Sequence, residues 1–158
     1  MMVLQPVNAK EDLWVADTFQ RLETLANERK SLLVINENPL DTETSGGFVH
    51  LIMSLPVKVM GRTVIAGGSK IECQYDPVRN VRYIPTTCLR ILTPEGYDYR
   101  IIGHIYDLNG TRGIPADRQK KNGALQADLA KELQLVIEQV TAVGFPSRLW
   151  PRPTPNKE

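Results

Sequence analysis

Phe48-Val49-His50-Leu51-Ile52-Met53-Ser54-Leu55-Pro56-Val57-Lys58-Val59 is the stretch whose reading decides the fold. Val49, Leu51, Met53, Leu55, Val57 and Val59 alternate with His50, Ile52, Ser54, Pro56 and Lys58. A period of two with one strongly apolar side predicts a long, half-buried strand. Pro56 has no N–H to donate, so the strand is expected to lie at an edge, to bend or to bulge there.

Working downstream, the same period returns between short turns. Met60-Gly61-Arg62 reads as a turn, and Thr63 to Ala66 is apolar before Gly67-Gly68. Ile71, Cys73 and Tyr75 then alternate with Lys70, Glu72 and Gln74. After the turn at Asp76–Asn80, the segment from Val81 to Leu92 predicts a strand with Tyr83, Thr87, Leu89 and Ile91 on one face. Thr93-Pro94-Glu95-Gly96 is a turn with Pro presetting φ and Gly free to take a positive one. Tyr97, Tyr99, Ile101, Gly103 and Ile105 line one side of the next strand. Successive strands joined by short turns make an antiparallel meander, hence a barrel or a sandwich.

The flanks change period. Val15, Phe19, Leu22 and Ala26 recur at helical spacing, with Asn8 and Glu11 placed as a capping box, so an amphipathic helix is expected from about Asp12 to Arg29. Ser31 to Ile35 reads as a short strand, and 36–47 as loop. Towards the end, Leu125, Leu129, Leu133, Val136 and Val140 also fit helical spacing, with Gly144 and Pro146 to stop that helix. The tail from Pro146, with Pro151, Pro153 and Pro155, reads as extended or disordered. The expected fold class is therefore α+β: a small antiparallel β-barrel or sandwich with an N-terminal amphipathic helix and a C-terminal helix. The expected division is 1–30 for the first segment and helix, 31–123 for the barrel or sandwich, 124–145 for the second helix and 146–158 for the tail.

With 158 residues and a formal net charge of +1, the chain is one domain with no global pull towards nucleic acid or an anionic membrane. No apolar run reaches the roughly 20 residues of a membrane-spanning helix, and the start lacks the pattern of a secretory signal. Taken as a full gene product, such a start predicts the cytoplasm or a virion. Cys73 and Cys88 are too few for a disulfide framework and fit no zinc spacing. They can form one bridge in an oxidising compartment or remain buried thiols, and the sequence leaves both open.

No chemistry-bearing pattern rises above its structural explanation. Cys88, His104 and Asp107 sit near strands of one meander, but nothing in their spacing enforces a nucleophile–base–acid geometry. Ala66-Gly67-Gly68-Ser69-Lys70 lacks the glycine spacing and following helix of a phosphate loop, so a tight turn is expected. Arg112, Arg118, Lys120 and Lys121 form a basic loop with Asp117 as the only acid between the first and last of them, and with no aromatics to stack bases. A solvated loop is the expectation, with nucleic-acid contact confined to that patch. No cofactor or metal motif is present.

Read in order, several pieces between Gly47 and Leu125 resemble the carboxy-terminal domain of the TraB/TrbI family. They are Ser45-Gly46-Gly47-Phe48-Val49, Val64-Ile65-Ala66-Gly67-Gly68-Ser69-Lys70-Ile71-Glu72-Cys73 and Leu89-Arg90-Ile91-Leu92-Thr93-Pro94-Glu95-Gly96. The most specific is Gly103-His104-Ile105-Tyr106-Asp107-Leu108-Asn109-Gly110-Thr111-Arg112-Gly113-Ile114, followed by Asn122-Gly123-Ala124-Leu125. The resemblance implies a non-enzymatic barrel of a type IV secretion or conjugation core complex. Copies would assemble side by side into a ring around a translocation pore, with itself and other secretion-core proteins as partners, at the periplasmic side of the outer membrane. It also implies that Gly110 and Gly113 bend the loop, and that the helix from about Ala124 to Val143 occupies the start of a helical insertion that crosses the outer membrane. The family's return strand has no counterpart in this reading, and neither does its inner-membrane anchor. A ring or adaptor protein of a phage particle or related injection machine is the alternative, ahead of a small enzyme or ligand-binding barrel.

Overall fold

The computed structural model describes residues 9–43, 47–128, 130–145 and 148–150. Helix α1 (Ala9–Glu28) comes first, then β1 (Ser31–Asn36), β2 (Leu40–Asp41), β3 (Phe48–Met53), β4 (Val57–Val59), β5 (Arg62–Ile65), β6 (Lys70–Tyr75), β7 (Tyr83–Ile84) and β8 (Thr86–Leu92). The chain continues through β9 (Asp98–Tyr106), β10 (Ile114–Pro115), β11 (Arg118–Gln119), β12 (Leu125–Ala127), β13 (Lys131–Phe145) and β14 (Arg148–Trp150). The expected capping residue Asn8 and the tail beyond Trp150 lie outside the described residues.

Six strands, β1, β3, β6, β8, β9 and β13, form an antiparallel sheet that closes on itself through β1 and β13. This is a barrel rather than a sandwich. Its interior is one apolar cluster to which all six strands contribute, with Val34, Leu51, Ile71, Ile91, Ile105 and Leu135 fully or almost fully enclosed. Alternation explains the inside and outside of β9: Tyr99, Ile101 and Ile105 point inward, while Arg100, Ile102 and His104 face the other way.

Both barrel ends are covered. α1 runs against β13 and reaches the β4–β5 hairpin, burying Val15, Thr18, Leu22, Leu25 and Ala26. At that end Trp14 meets the Tyr97 ring at 4.4 Å, and the Arg62 guanidinium lies 4.9 Å from the Trp14 ring centre. α1 stops in a Schellman turn: Lys30 N–H donates to the Leu25 carbonyl, Arg29 N–H to that of Ala26, and Arg29 takes φ of 51°. The opposite end carries the β7–β10 pair and the small sheet β11-β12-β2, whose Leu40, Ile84, Ile114, Leu125 and Ala127 are buried.

The structure corrects the expected C-terminal helix. Leu125 lies in β12 and Leu133, Val136 and Val140 in β13, while Leu129 lies outside the described residues. β13 carries bulges between Ile137 and Gln139 and between Val140 and Ala142. Each bulge adds a residue, so the buried positions Leu133, Leu135, Ile137, Val140 and Val143 are spaced by two, two, three and three. Steps of three imitate a helix. The supposed insertion is therefore the strand that closes the barrel, and the segment expected as tail begins with β14. The long strand expected from Phe48 is likewise two, because the chain leaves the sheet after Met53 and resumes in β4 beyond Pro56. Leu89, expected on one face with Ile91, is exposed while Ile91 is buried, and Cys88 faces inward beside the irregularity between Cys88 and Arg90.

The β4–β5 turn suggests a simple test. Met60 (φ 51°) and Gly61 (φ 81°) are both left-handed, the pattern of a two-residue turn that favours Asn-Gly. Met60 is 76% exposed, so its side chain does little to offset this strain. Met60→Asn is expected to raise stability by roughly 0.5–1 kcal/mol, read as a higher urea midpoint; an unchanged or lower midpoint would refute the turn assignment.

Candidate functional site

The loop after β9 is organised around one carboxylate. Asp107, 7% exposed, accepts hydrogen bonds on one oxygen from the N–H groups of Asn109 and Thr111, both at 2.9 Å. Its other oxygen accepts from the Tyr83 hydroxyl at 2.8 Å. The backbone joins in: Asp107 N–H donates to Thr111, Gly110 N–H to the Asp107 carbonyl, and Gln134 Nε2 to that same carbonyl. Gly110 (φ 90°) and Gly113 (φ 110°) carry the chain through left-handed backbone. At Gly113 a Cβ would also sit 3.0 Å from the Ile84 carbonyl oxygen, so that glycine is required twice over.

Burial alone would raise the Asp107 pKa, but the Thr111 N–H, the Tyr83 hydroxyl and the Asn109 and Gly110 amides bring it below the ordinary carboxylate value. Asp98 is lowered as well: burial pushes it up, and the flanking Arg90 and Arg100 guanidiniums more than reverse this. Unfolded aspartate titrates near about 3.9. Below that value the unfolded chain binds more protons than the folded one. The stability from both groups is therefore complete above it and is lost as the pH falls through their folded pKa values. We expect thermal midpoints to decline below about pH 4, and Asp107→Asn to flatten part of that decline. A decline of unchanged steepness in the variant would show that Asp107 does not contribute.

Cys88, His104 and Asp107 do not assemble into a catalytic set. Cys88 is disulfide-bonded to Cys73 and enclosed, His104 bonds Glu138 from the outer side of β9 through Nδ1 at 2.9 Å, and Asp107 serves its own loop. The Gly67-Gly68 segment is a turn: Ser69 N–H and its hydroxyl both donate to the Ala66 carbonyl, and Gly68 takes φ of 83°. In the basic loop, Arg118 pairs with Asp128, and Lys120 with Asp41 and Glu43, while Arg112 and Lys121 are exposed. These pairings neutralise half of the positive patch. Among the described residues no three His, Cys, Asp or Glu side chains converge in a metal-binding group.

Several participants are not legible in the sequence. Tyr83 and Gln134 reach Asp107 across 24 and 27 residues, and the acids that pair Lys120 lie 77 and 79 residues away. The run Asp107-Leu108-Asn109-Gly110-Thr111 did carry a local signal, since an aspartate two residues before a backbone donor is the pattern of an Asx turn. No protein-family model matches this chain, and no curated protein matches it either.

Proposed function

We propose that this chain is a structural subunit of a type IV secretion or conjugation core complex, assembling with copies of itself and other core proteins into a ring around a translocation pore. The observation that carries the reading is the closed antiparallel barrel, which has the architecture expected of the domain that its middle resembles. Closure leaves no free edge among the six barrel strands, and short β14, paired to β13, is the edge of that sheet among the described residues. Neighbours are then met by side chains on the outer wall rather than by strand pairing with the six barrel strands. Phe48, at 70% exposed, is the largest exposed apolar side chain there among the described residues, with Leu89 and Ile102 on β8 and β9 and Leu108 on the glycine loop. The Cys73–Cys88 bond supports an oxidising compartment such as the periplasm. No described helix is long and apolar enough to cross a membrane, and the proposal gives none of them that task.

The test is the oligomeric state, by light scattering and electron microscopy, on the chain alone and on complexes purified from its native host. Rings, or co-purification with secretion-core proteins, are the expected result, with Phe48→Glu weakening the association. A monomer in both preparations would overturn the proposal.

A further inference from the structure

We infer that the cleft between the β7–β10 pair and β11 binds the carboxy terminus of an extended peptide whose last side chain is apolar. The cleft has a volume of about 390 Å³, within the range of ordinary ligand sites. Val81, Tyr83, Pro115 and Leu125 contribute its apolar walls, and Arg82 and Arg118 its cations. The Tyr83 wall is held in place beforehand by the bond from its hydroxyl to Asp107, which lowers the cost of ordering the site on binding.

The charges favour a carboxylate. Asp117, the acid in the lining, is already engaged: it accepts from the Lys131 ammonium and from the Asp128 N–H. It therefore repels an incoming anion less than a bare acid would. Arg82 is exposed and its guanidinium has no partner among the described residues. Arg118 is 64% exposed and pairs with Asp128 at the surface, an interaction weak enough to be shared or exchanged. Two guanidiniums beside apolar walls match the planar carboxylate and adjoining side chain of a peptide terminus. β11 is the outer strand of its small sheet, paired among the described residues to β12 alone, so it also offers a main-chain edge along which an extended segment can lie.

This inference is independent of the secretion reading, since a monomer suffices for binding. The probe is N-acetyl-L-leucine, titrated into ¹⁵N-labelled protein, with N-acetyl-L-leucinamide as the uncharged counterpart. So small a ligand should bind with a millimolar dissociation constant. We expect saturable shifts of the amides of residues 81–83 and 116–119, with the amide analogue about tenfold weaker. Arg82→Ala should remove that preference while leaving the rest of the spectrum in place, and Arg82→Lys should restore it in part. Absence of saturable shifts, equal affinity for acid and amide, or shifts centred elsewhere would each overturn the inference.

Discussion

Gly103→Val is expected to prevent the native barrel from forming, or to leave it destabilised by about 3 kcal/mol or more. A Cβ at this position would lie 2.9 Å from Leu135 Cδ1 and 2.9 Å from the Val136 carbonyl oxygen, with the Ile137 Cα at 3.4 Å. The leucine methyl can rotate away. The backbone atoms cannot, because they belong to the β9–β13 ladder that holds the barrel together, and valine adds two further methyl groups in the same space. Gly103 also sits where register changes on both sides of β9, at the irregularities between Cys88 and Arg90 and between Ile137 and Gln139. A glycine there lets the strand bend as the sheet closes. Gly103→Ala should cost less, and combining it with Leu135→Ala should recover only the part of the loss due to the side-chain clash. A double-mutant cycle on urea midpoints separates the two terms. A wild-type midpoint for Gly103→Val would mean that β9 and β13 do not approach as described.

The two bulges of β13 explain which parts of the fold are readable. In β9 the alternation of Tyr99, Ile101, Gly103 and Ile105 is uninterrupted, so residue types alone mark it as a strand. In β13 the bulges stretch the period until it imitates a helix. The β-branched residues Val136, Ile137, Val140, Thr141 and Val143 favour a strand, against the helical spacing of the apolar positions. Bulges are set by closure of the sheet, which is a long-range event with no local signature. The candidate loop divides in the same way. Its glycines and its Asx-type turn are local chemistry, whereas Tyr83, Gln134 and the partners of the basic residues are brought in by topology. Ion pairs such as Lys120 with Asp41 cannot be read from a chain in which 79 residues separate them.

Replacing both cysteines, as Cys73→Ala with Cys88→Ala, is expected to cost about 3 kcal/mol of stability, the loop-closure value for a bridge of this separation. The two residues face each other across β6 and β8, 15 residues apart in sequence, and are 1% and 0% exposed. They occupy one interior row with Val49, Gly103 and Ile137, each opposite the next in register. The bridge therefore ties the sheet in the same layer in which Gly103 lets β13 come close. Reducing the wild type should lower its urea midpoint towards that of the double variant, which reductant should leave unchanged. Protein made in the periplasm should run two hydrogens lighter by mass than its fully reduced form, and thiol reagents should react only after reduction. Two free thiols in that preparation would remove the bridge and with it the argument for an oxidising compartment. If the bridge is present, the stability of the barrel becomes a function of where the chain folds. The same sequence made under reducing conditions would lack the cross-link in the layer where its packing is tightest.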